Sequence, residues 1–211
     1  MKNSKINFNN SIKCNIMKNT LTALVAIAII SLSSLTADAQ QLPTRLFKKD
    51  QADLYLTVGL VPTFLADGAK QTLLPLNIGA DFMVGDNFSI GGTFGHSISE
   101  TGNREFQGGE NGSLKNSFYE FALKTGLHIT KHDNMSIYGG LQLSYHYSNI
   151  KATQGDFDKI AFHTGIKENQ SKVIPGGYVG FKYALKEKMT LMAEVGYGVS
   201  IVRMGVGYRI K

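Results

Sequence analysis

The sequence contains one cysteine, few prolines and no long apolar run beyond its first forty residues. Cys14 precedes an apolar leader that we expect to be removed, so the mature chain is predicted to have no disulfide and no cysteine-ligated metal. Proline occurs 4 times and glycine 23 times in 211 residues, a balance that suits long strands with closely approaching backbones. A membrane-spanning helix needs about 18 or more apolar residues in succession, and residues 40–211 contain no such stretch.

Charged residues make up only 18% of the chain. Half of the formal net charge of +6 comes from residues 1–39, which hold four lysines and one aspartate. The remaining sequence has no run of basic residues interleaved with aromatic ones, so we expect no nucleic-acid partner. His128 and His132 have no third ligand at the spacing of a metal site, and we expect neither a metal nor any other cofactor.

An apolar run of twelve residues, 21–32, follows a basic residue, Lys18, near the start of the chain. The run is too short to span a membrane as a helix, and the small-residue sequence Ala37-Asp38-Ala39 comes after it. A basic start, a short apolar core and small residues at the exit are typical of a cleavable secretory signal peptide. We therefore predict a signal peptide over residues 1–39, with Met17 as an alternative start.

Strict two-residue alternation governs residues 117–149, which we predict to form two strands around a turn at residues 131–134. One face of this hairpin is apolar and consists of Tyr119, Phe121, Leu123, Leu127, Ile129, Met135, Ile137, Leu141, Leu143, Tyr145 and Tyr147. Ordinary strands have about 5–6 residues, and these are roughly twice as long. They reach the about 9–11 residues that a membrane-spanning strand needs.

The same alternation predicts six further strands, at residues 53–65, 73–84, 88–98, 173–185, 189–197 and 202–210. Connections alternate in length: 85–87, 131–134 and 186–188 are short, whereas 66–72, 99–116 and 150–172 are longer. Only the last connection, at residues 198–200, breaks this order. Short turns at one end and long loops at the other are typical of bacterial outer-membrane barrels with both termini in the periplasm.

We therefore predict an all-β fold over residues 53–211, an eight-stranded antiparallel up-and-down transmembrane β-barrel, after a periplasmic lead-in segment at residues 40–52. The polar face carries few charges, four acidic and four basic: Asp53, Asp81, Glu120, Lys124, Lys182, Glu194, Arg203 and Arg209. A lumen must pair its charges because an isolated buried charge is very costly, and the equal count predicts a network of ion pairs.

A soluble periplasmic barrel or sandwich is the alternative to this arrangement, and a soluble barrel would have an apolar lumen and a charged outer wall. The apolar face is aromatic near its ends, at Phe64, Phe82, Phe88, Tyr119, Tyr147, Tyr183 and Tyr208. Such aromatic residues are expected at both interfaces of a membrane barrel, so we favour the membrane barrel over the soluble one.

Over residues 53–211 the chain resembles the small outer-membrane β-barrel proteins of the OmpX and OmpA-domain type. The sequence Ala37-Asp38-Ala39-Gln40 resembles the signal ends of Bacteroidetes envelope proteins. The last nine residues, 203–211, resemble a barrel-assembly signal, although they end in Ile210 and Lys211 and not in an aromatic residue. The resemblance implies a monomer in the outer membrane of a Gram-negative bacterium, in contact with lipid, lipopolysaccharide and the barrel-assembly machinery.

An eight-stranded barrel is about wide enough to hold its own side chains, so a general porin is not expected. We predict a non-enzymatic protein with a structural or surface-interaction role, in which the loops at residues 99–116 and 150–172 contact an extracellular ligand. We expect these loops to be polar and solvated. A narrow porin-like channel along the lumen charges is a further alternative.

A third hypothesis rests on the sequence His146-Tyr147-Ser148-Asn149. Residues two apart on a strand share a face, so His146 could deprotonate Ser148, and Asn149 could stabilise an oxyanion. The four residues resemble the His-x-Ser-Asn site of outer-membrane lipid A 3-O-deacylases, which implies a lipid hydrolase. The predicted strand phase turns His146 and Ser148 toward the lumen, however, so we favour no catalytic residues.

Overall fold

The computed structural model describes residues 48–63, 69–106, 108–132 and 134–210. The predicted signal peptide at 1–39 and most of the lead-in segment at 40–52 lie outside the described residues. The described chain has nine strands and one helix: β1 Ala52–Pro62, β2 Lys70–Gly85, β3 Phe88–Glu100, β4 Arg104–Glu105, β5 Asn111–His132, β6 Met135–Gln154, α1 Phe157–Thr164, β7 Asn169–Lys186, β8 Met189–Gly196 and β9 Ser200–Arg209.

Eight of the strands close into a single antiparallel barrel. Each of these strands pairs with the next one along the chain, and the two-residue β4 pairs only with β5. The ring closes where β1 meets β9, with Asp53 opposite Arg209 and Leu54 opposite Tyr208. The prediction of an all-β, eight-stranded antiparallel up-and-down barrel is confirmed.

The two faces of the barrel wall differ sharply in polarity. Outward-facing apolar side chains are open to the surroundings, with Leu141 73% and Leu127 62% exposed, whereas the inward-facing Lys124 and Lys182 are only 2% and 1% exposed. A water-soluble protein rarely shows so large an apolar surface. The soluble alternative, with an apolar lumen and a charged wall, is therefore wrong.

Aromatic residues lie on the outer wall, and Phe82, Tyr183 and Tyr208 are within three residues of a strand end, where a membrane barrel places them. Phe82, Tyr119, Tyr183 and Tyr208 are between 36% and 53% exposed, and the rings of Tyr119 and Tyr147 lie 6.2 Å apart across neighbouring strands. Phe64, which the sequence places in the same set, lies outside the described residues.

The strands reach unequal heights at the end of the barrel that carries residues 101–110 and 155–168, which we call the loop end. Strands β5, β6 and β7 have 22, 20 and 18 residues, whereas β8 and β9 have 8 and 10. As a result, β5, β6 and the first half of β7 extend beyond β8 as a projecting sheet.

The loop end has an apolar cluster of its own, which we call the loop-end cluster. Helix α1 contributes Ile160, which is fully buried against Phe106 and Leu114. The Asp156 side chain caps the helix at its N-terminus, and Gly165 ends it with a φ of 71°, a left-handed conformation that favours glycine. At eight residues α1 is short, and no helix in the described ranges is long and apolar enough to cross a membrane.

The expectation that residues 99–116 and 150–172 are loops is wrong, although most residues of 151–172 are exposed to solvent as expected. Both segments are largely strand and helix, because β3 continues to Glu100, β5 begins at Asn111, β6 continues to Gln154 and β7 begins at Asn169. Some inward-facing positions there are apolar, as at Leu114 and Ile150, so the alternation that marks the lower strands is lost from the sequence.

The last hairpin turn folds into the mouth of the barrel. It spans residues 197–199, one residue before the predicted turn at 198–200, because β9 already begins at Ser200. The Val199 side chain is fully buried, and the Thr63 hydroxyl donates a hydrogen bond to the Gly198 carbonyl. This inward turn contrasts with the projecting strands, of which β7 is the direct neighbour of β8.

Candidate functional site

The structure places all eight predicted lumen charges inside the barrel, in three clusters along its axis. The first lies nearest the short turns, where Asp53 on β1 stands opposite Asp81 on β2. Two cations separate these like charges: Lys182 Nζ is 3.0 Å from Asp81 Oδ2 and 3.7 Å from Asp53 Oδ2, and Arg209 Nε is 3.1 Å from Asp53 Oδ1. The cluster is thus a neutral set of two acids and two bases.

The second cluster, at mid-height, is built around Glu194 on β8. Its Oε1 accepts hydrogen bonds from Lys124 Nζ at 2.7 Å and from the Tyr138 hydroxyl at 2.8 Å, and its Oε2 accepts one from Arg203 Nε at 2.7 Å. Lys124 Nζ also lies 4.0 Å from the ring centre of Tyr178, within the range of a cation–π interaction. One carboxylate therefore holds two buried cations.

The third cluster, nearest the mouth, centres on Glu120 of β5. Its carboxylate accepts hydrogen bonds from the Ser144 hydroxyl at 3.0 Å and from the Val199 backbone N–H at 2.9 Å. His146, opposite Glu120 in the register, places Nε2 at 3.5 Å from Glu120 Oε1. Glu120 therefore fixes the inward turn at residues 197–199. The sequence pattern predicts only that Glu120 lies on the polar face of its strand, and it does not predict this role.

Tyrosines and glycines on neighbouring strands fill the space between the clusters. Tyr55 lies opposite Gly79, Tyr138 opposite Gly180 and Tyr178 opposite Gly196. A β-carbon at Gly79 or Gly180 would overlap the facing tyrosine ring. The sequence-based prediction does not include this cross-strand pairing, although glycines on the polar face of neighbouring strands are its signal.

The burial of the eight charges defines what the lumen can do. None of them is more than 8% exposed, whereas a water-filled pore would leave its lining open to solvent. Among the described residues no three His, Cys, Asp or Glu side chains form a group that could hold a metal. The lumen is therefore filled by its own polar side chains.

The three residues considered for lipid hydrolysis do not form one site. His146 is 6% exposed and faces Glu120, and Ser148 shares its inward face, opposite Phe118. Asn149 lies on the outer face, where its Nδ2 donates a hydrogen bond to Asn169 Oδ1 at 2.7 Å. Grouping Asn149 with the other two as an oxyanion donor is wrong, because adjacent residues of a strand point to opposite faces.

A closed eight-stranded barrel with an apolar outer wall and a polar, charge-paired interior defines an integral outer-membrane β-barrel protein. The chain belongs to the family described as outer membrane protein beta-barrel domain, whose family model matches residues 23–209. It is accordingly a protein of the Gram-negative outer membrane. The description of the family refers to a membrane domain and to no enzymatic activity.

Solved structures with the same fold are distant in sequence. The outer membrane protein OprG from Pseudomonas aeruginosa is 15% identical with a TM-score of 0.52, and the match covers 79% of this chain and 99% of OprG. Ail, the attachment invasion locus protein of Yersinia pestis, is 12% identical with a TM-score of 0.45, over 78% of this chain and 99% of Ail. No curated protein sequence matches the chain.

Proposed function

We propose that the protein is a non-conducting anchor that presents its projecting sheet outside the cell, where the sheet binds a protein partner. The observation that carries the proposal is the free edge of β7. Strand β8 pairs with β7 only from Tyr178 to Lys186, so within the described ranges Asn169–Gly177 has a neighbour on its β6 side alone. A free strand edge is a template for strand addition by another chain.

The hydrogen-bond phase of β7 identifies the groups that point to this free edge. Ile150 N donates to Glu168 O and Ala184 N donates to Asn134 O, so even-numbered residues of β7 bond to β6. Odd-numbered residues, Ser171 and Val173 among them, therefore point their N–H and C=O groups away from β6. Pro175 is also odd-numbered, which explains how β7 tolerates a proline without losing a bond to β6.

The position of Pro175 limits the proposed contact to the outer part of the edge. Proline has no N–H to donate, so an added strand would pair best with residues 169–173. The neighbouring helix α1 adds an exposed aromatic side chain, Phe162, which is 84% open to solvent. Exposed aromatic residues are common anchors in protein interfaces.

Selection of a displayed peptide library on the barrel in lipid nanodiscs tests the proposal. We expect enriched peptides with alternating apolar residues that bind the wild type, lose affinity for Val173→Pro and keep it for the control Val173→Thr. Val173→Pro removes an edge N–H without touching the bonds to β6, whereas threonine keeps that N–H. Equal binding to both variants, or no enrichment over empty nanodiscs, would contradict the proposal.

A further inference from the structure

Lys172 lies on the inner face of the projecting sheet, within the free edge of β7. It shares this face with Tyr178, which is buried in the barrel, because residues an even number apart on a strand point to the same side. Lys172 pairs with His146 of β6, and among the described residues no strand pairs with it on the opposite side. Its side chain therefore borders the place that an added strand would take.

The Lys172 ammonium has no counter-charge in the part of the chain that the structure describes. The side chain is exposed to solvent and forms no ion pair with the described residues. Glu120, the acid that faces His146, already accepts hydrogen bonds from a serine hydroxyl and a backbone N–H. Glu168 precedes Lys172 by four residues, about 13 Å along an extended chain. A negative group brought to the free edge would therefore become the counter-charge of Lys172.

The hydrogen-bond phase of β7 brings this position close to an added strand. Lys172 is even-numbered, so its N–H and C=O groups bond to β6 and not to the free edge. In an antiparallel pair, facing residues that exchange no hydrogen bonds have Cα atoms about 4.5 Å apart, against about 5.5 Å for those that do. The residue opposite Lys172 would thus lie nearer than the residues opposite Ser171 and Val173, with its side chain on the same inner face.

The inner face beside the free edge becomes apolar toward the membrane. Ile174 is half-buried there and lies opposite Ser144 of β6. The inner residues of β6 on either side, Gln142 and His146, both contact Tyr197: the first donates a hydrogen bond to its carbonyl, and the second stacks on its ring with 5.5 Å between the ring centres. Tyr197 therefore spans the level of Ile174, and it remains 44% exposed. A side chain added at this level gains most from burial if it is apolar.

We propose that the free edge of β7 takes up an extended segment of a partner protein that places an acidic residue opposite Lys172 and an apolar residue opposite Ile174. Opposite charges on directly facing strand positions attract each other, and like charges there repel. In an antiparallel segment the apolar residue comes two positions before the acidic one. The inference rests on the proposed function, because it states which sequence pattern the edge accepts.

Parallel selections of one displayed library of random peptides, on the wild-type barrel and on Lys172→Glu in nanodiscs, test this pattern. Among the peptides that lose binding to Val173→Pro, we expect the wild type to enrich Asp or Glu at one fixed position. Lys172→Glu should enrich Lys or Arg at that position, and Lys172→Gln should enrich neither charge. A peptide selected on the wild type should bind Lys172→Glu roughly tenfold more weakly, since a facing attraction becomes a repulsion.

Lys151→Glu is the matched control, because it makes the same change of charge at an exposed position on the outer face of β6. It should bind the selected peptide like the wild type, and an equal loss there would show that net charge and not a facing pair sets the affinity. Peptides that need the edge but show no charge preference would overturn this inference and leave the proposed edge contact standing. Absence of any peptide sensitive to Val173→Pro would overturn both; retained heat-dependent gel mobility verifies folding.

Discussion

Glu194 on β8 and Arg203 on β9 lie directly opposite each other, and Glu194 Oε2 accepts a hydrogen bond from Arg203 Nε at 2.7 Å. The other oxygen of the same carboxylate accepts one from Lys124 Nζ at 2.7 Å. All three side chains are at most 2% exposed. Glu194 thus neutralises the charge of Arg203 on the adjacent strand and that of Lys124 on β5, and it links the two halves of the barrel.

Replacing Glu194 by glutamine should therefore destabilise the barrel strongly. The change leaves Lys124 and Arg203 buried without their counter-charge, for which we expect a loss of about 3–5 kcal/mol in the free energy of unfolding. Heat-dependent gel mobility across a guanidinium series, in lipid vesicles, measures the loss. Glu187→Gln is the control, because Glu187 lies exposed in a short turn. Equal midpoints for the two variants would show that the ion pairs do not stabilise the barrel.

The tyrosine–glycine pairs give a second prediction, on β7. Gly180→Ala places a methyl group against the Tyr138 ring, and Tyr138 cannot move freely because its hydroxyl donates to Glu194. We expect a cost of about 1–3 kcal/mol from overpacking. Gly177→Ala, on the same strand, is the matched control, since its β-carbon would find its nearest neighbour at 3.6 Å. Urea titrations of the two variants should separate by that amount, and coincident curves would disprove the packing argument.

The sequence predicts this barrel well where the two faces of a strand differ in polarity. The hairpin of β5 and β6 is the best case, since Leu123 and Leu143 face outward and Lys124 and Gln142 inward, as the alternation indicates. At the loop end the same rule fails, because Leu114 and Ile150 face inward and are apolar. Where apolar residues face inward and polar residues face outward, the alternation in the sequence does not tell which of the two faces lines the interior.

The candidate sites were less predictable for a related reason. Alternation assigns Glu120 and His146 to the lumen but not to each other, because cross-strand partners depend on register. The bond from Val199 N to Glu120 depends on an inward fold of three residues that composition alone describes as a turn. The free edge of β7 arises because β8 pairs with β7 only from Tyr178 to Lys186, so no local pattern could reveal it.

The inward turn at residues 197–199 gives a third prediction, on conductance. Glu120 accepts a hydrogen bond from the Val199 N–H, and the Gln142 amide donates one to the Tyr197 carbonyl. The turn therefore closes the mouth above the second cluster, which is built around Glu194. Glu120→Ala removes one anchor and the volume of the side chain, and we expect it to produce small, frequent current steps in planar bilayers. Glu120→Gln keeps an acceptor for Val199 and should stay closed like the wild type. A silent Glu120→Ala barrel would mean that the turn does not seal the lumen.

Helix α1 should be able to unfold while the barrel stays folded, because its buried contacts lie almost wholly within the loop-end cluster. Ile160 is fully buried there, while Phe162, two residues later on the same helix, is 84% exposed. Losing a buried isoleucine costs about 2–5 kcal/mol, and a buried aspartate adds to that cost. Trypsin cleavage at Lys159 and Lys167 should therefore accelerate at least about tenfold in Ile160→Asp and hardly at all in Phe162→Asp, with heat-dependent gel mobility preserved in both. Loss of that mobility in Ile160→Asp would instead mean that the loop-end cluster and the membrane-embedded barrel unfold as one cooperative unit.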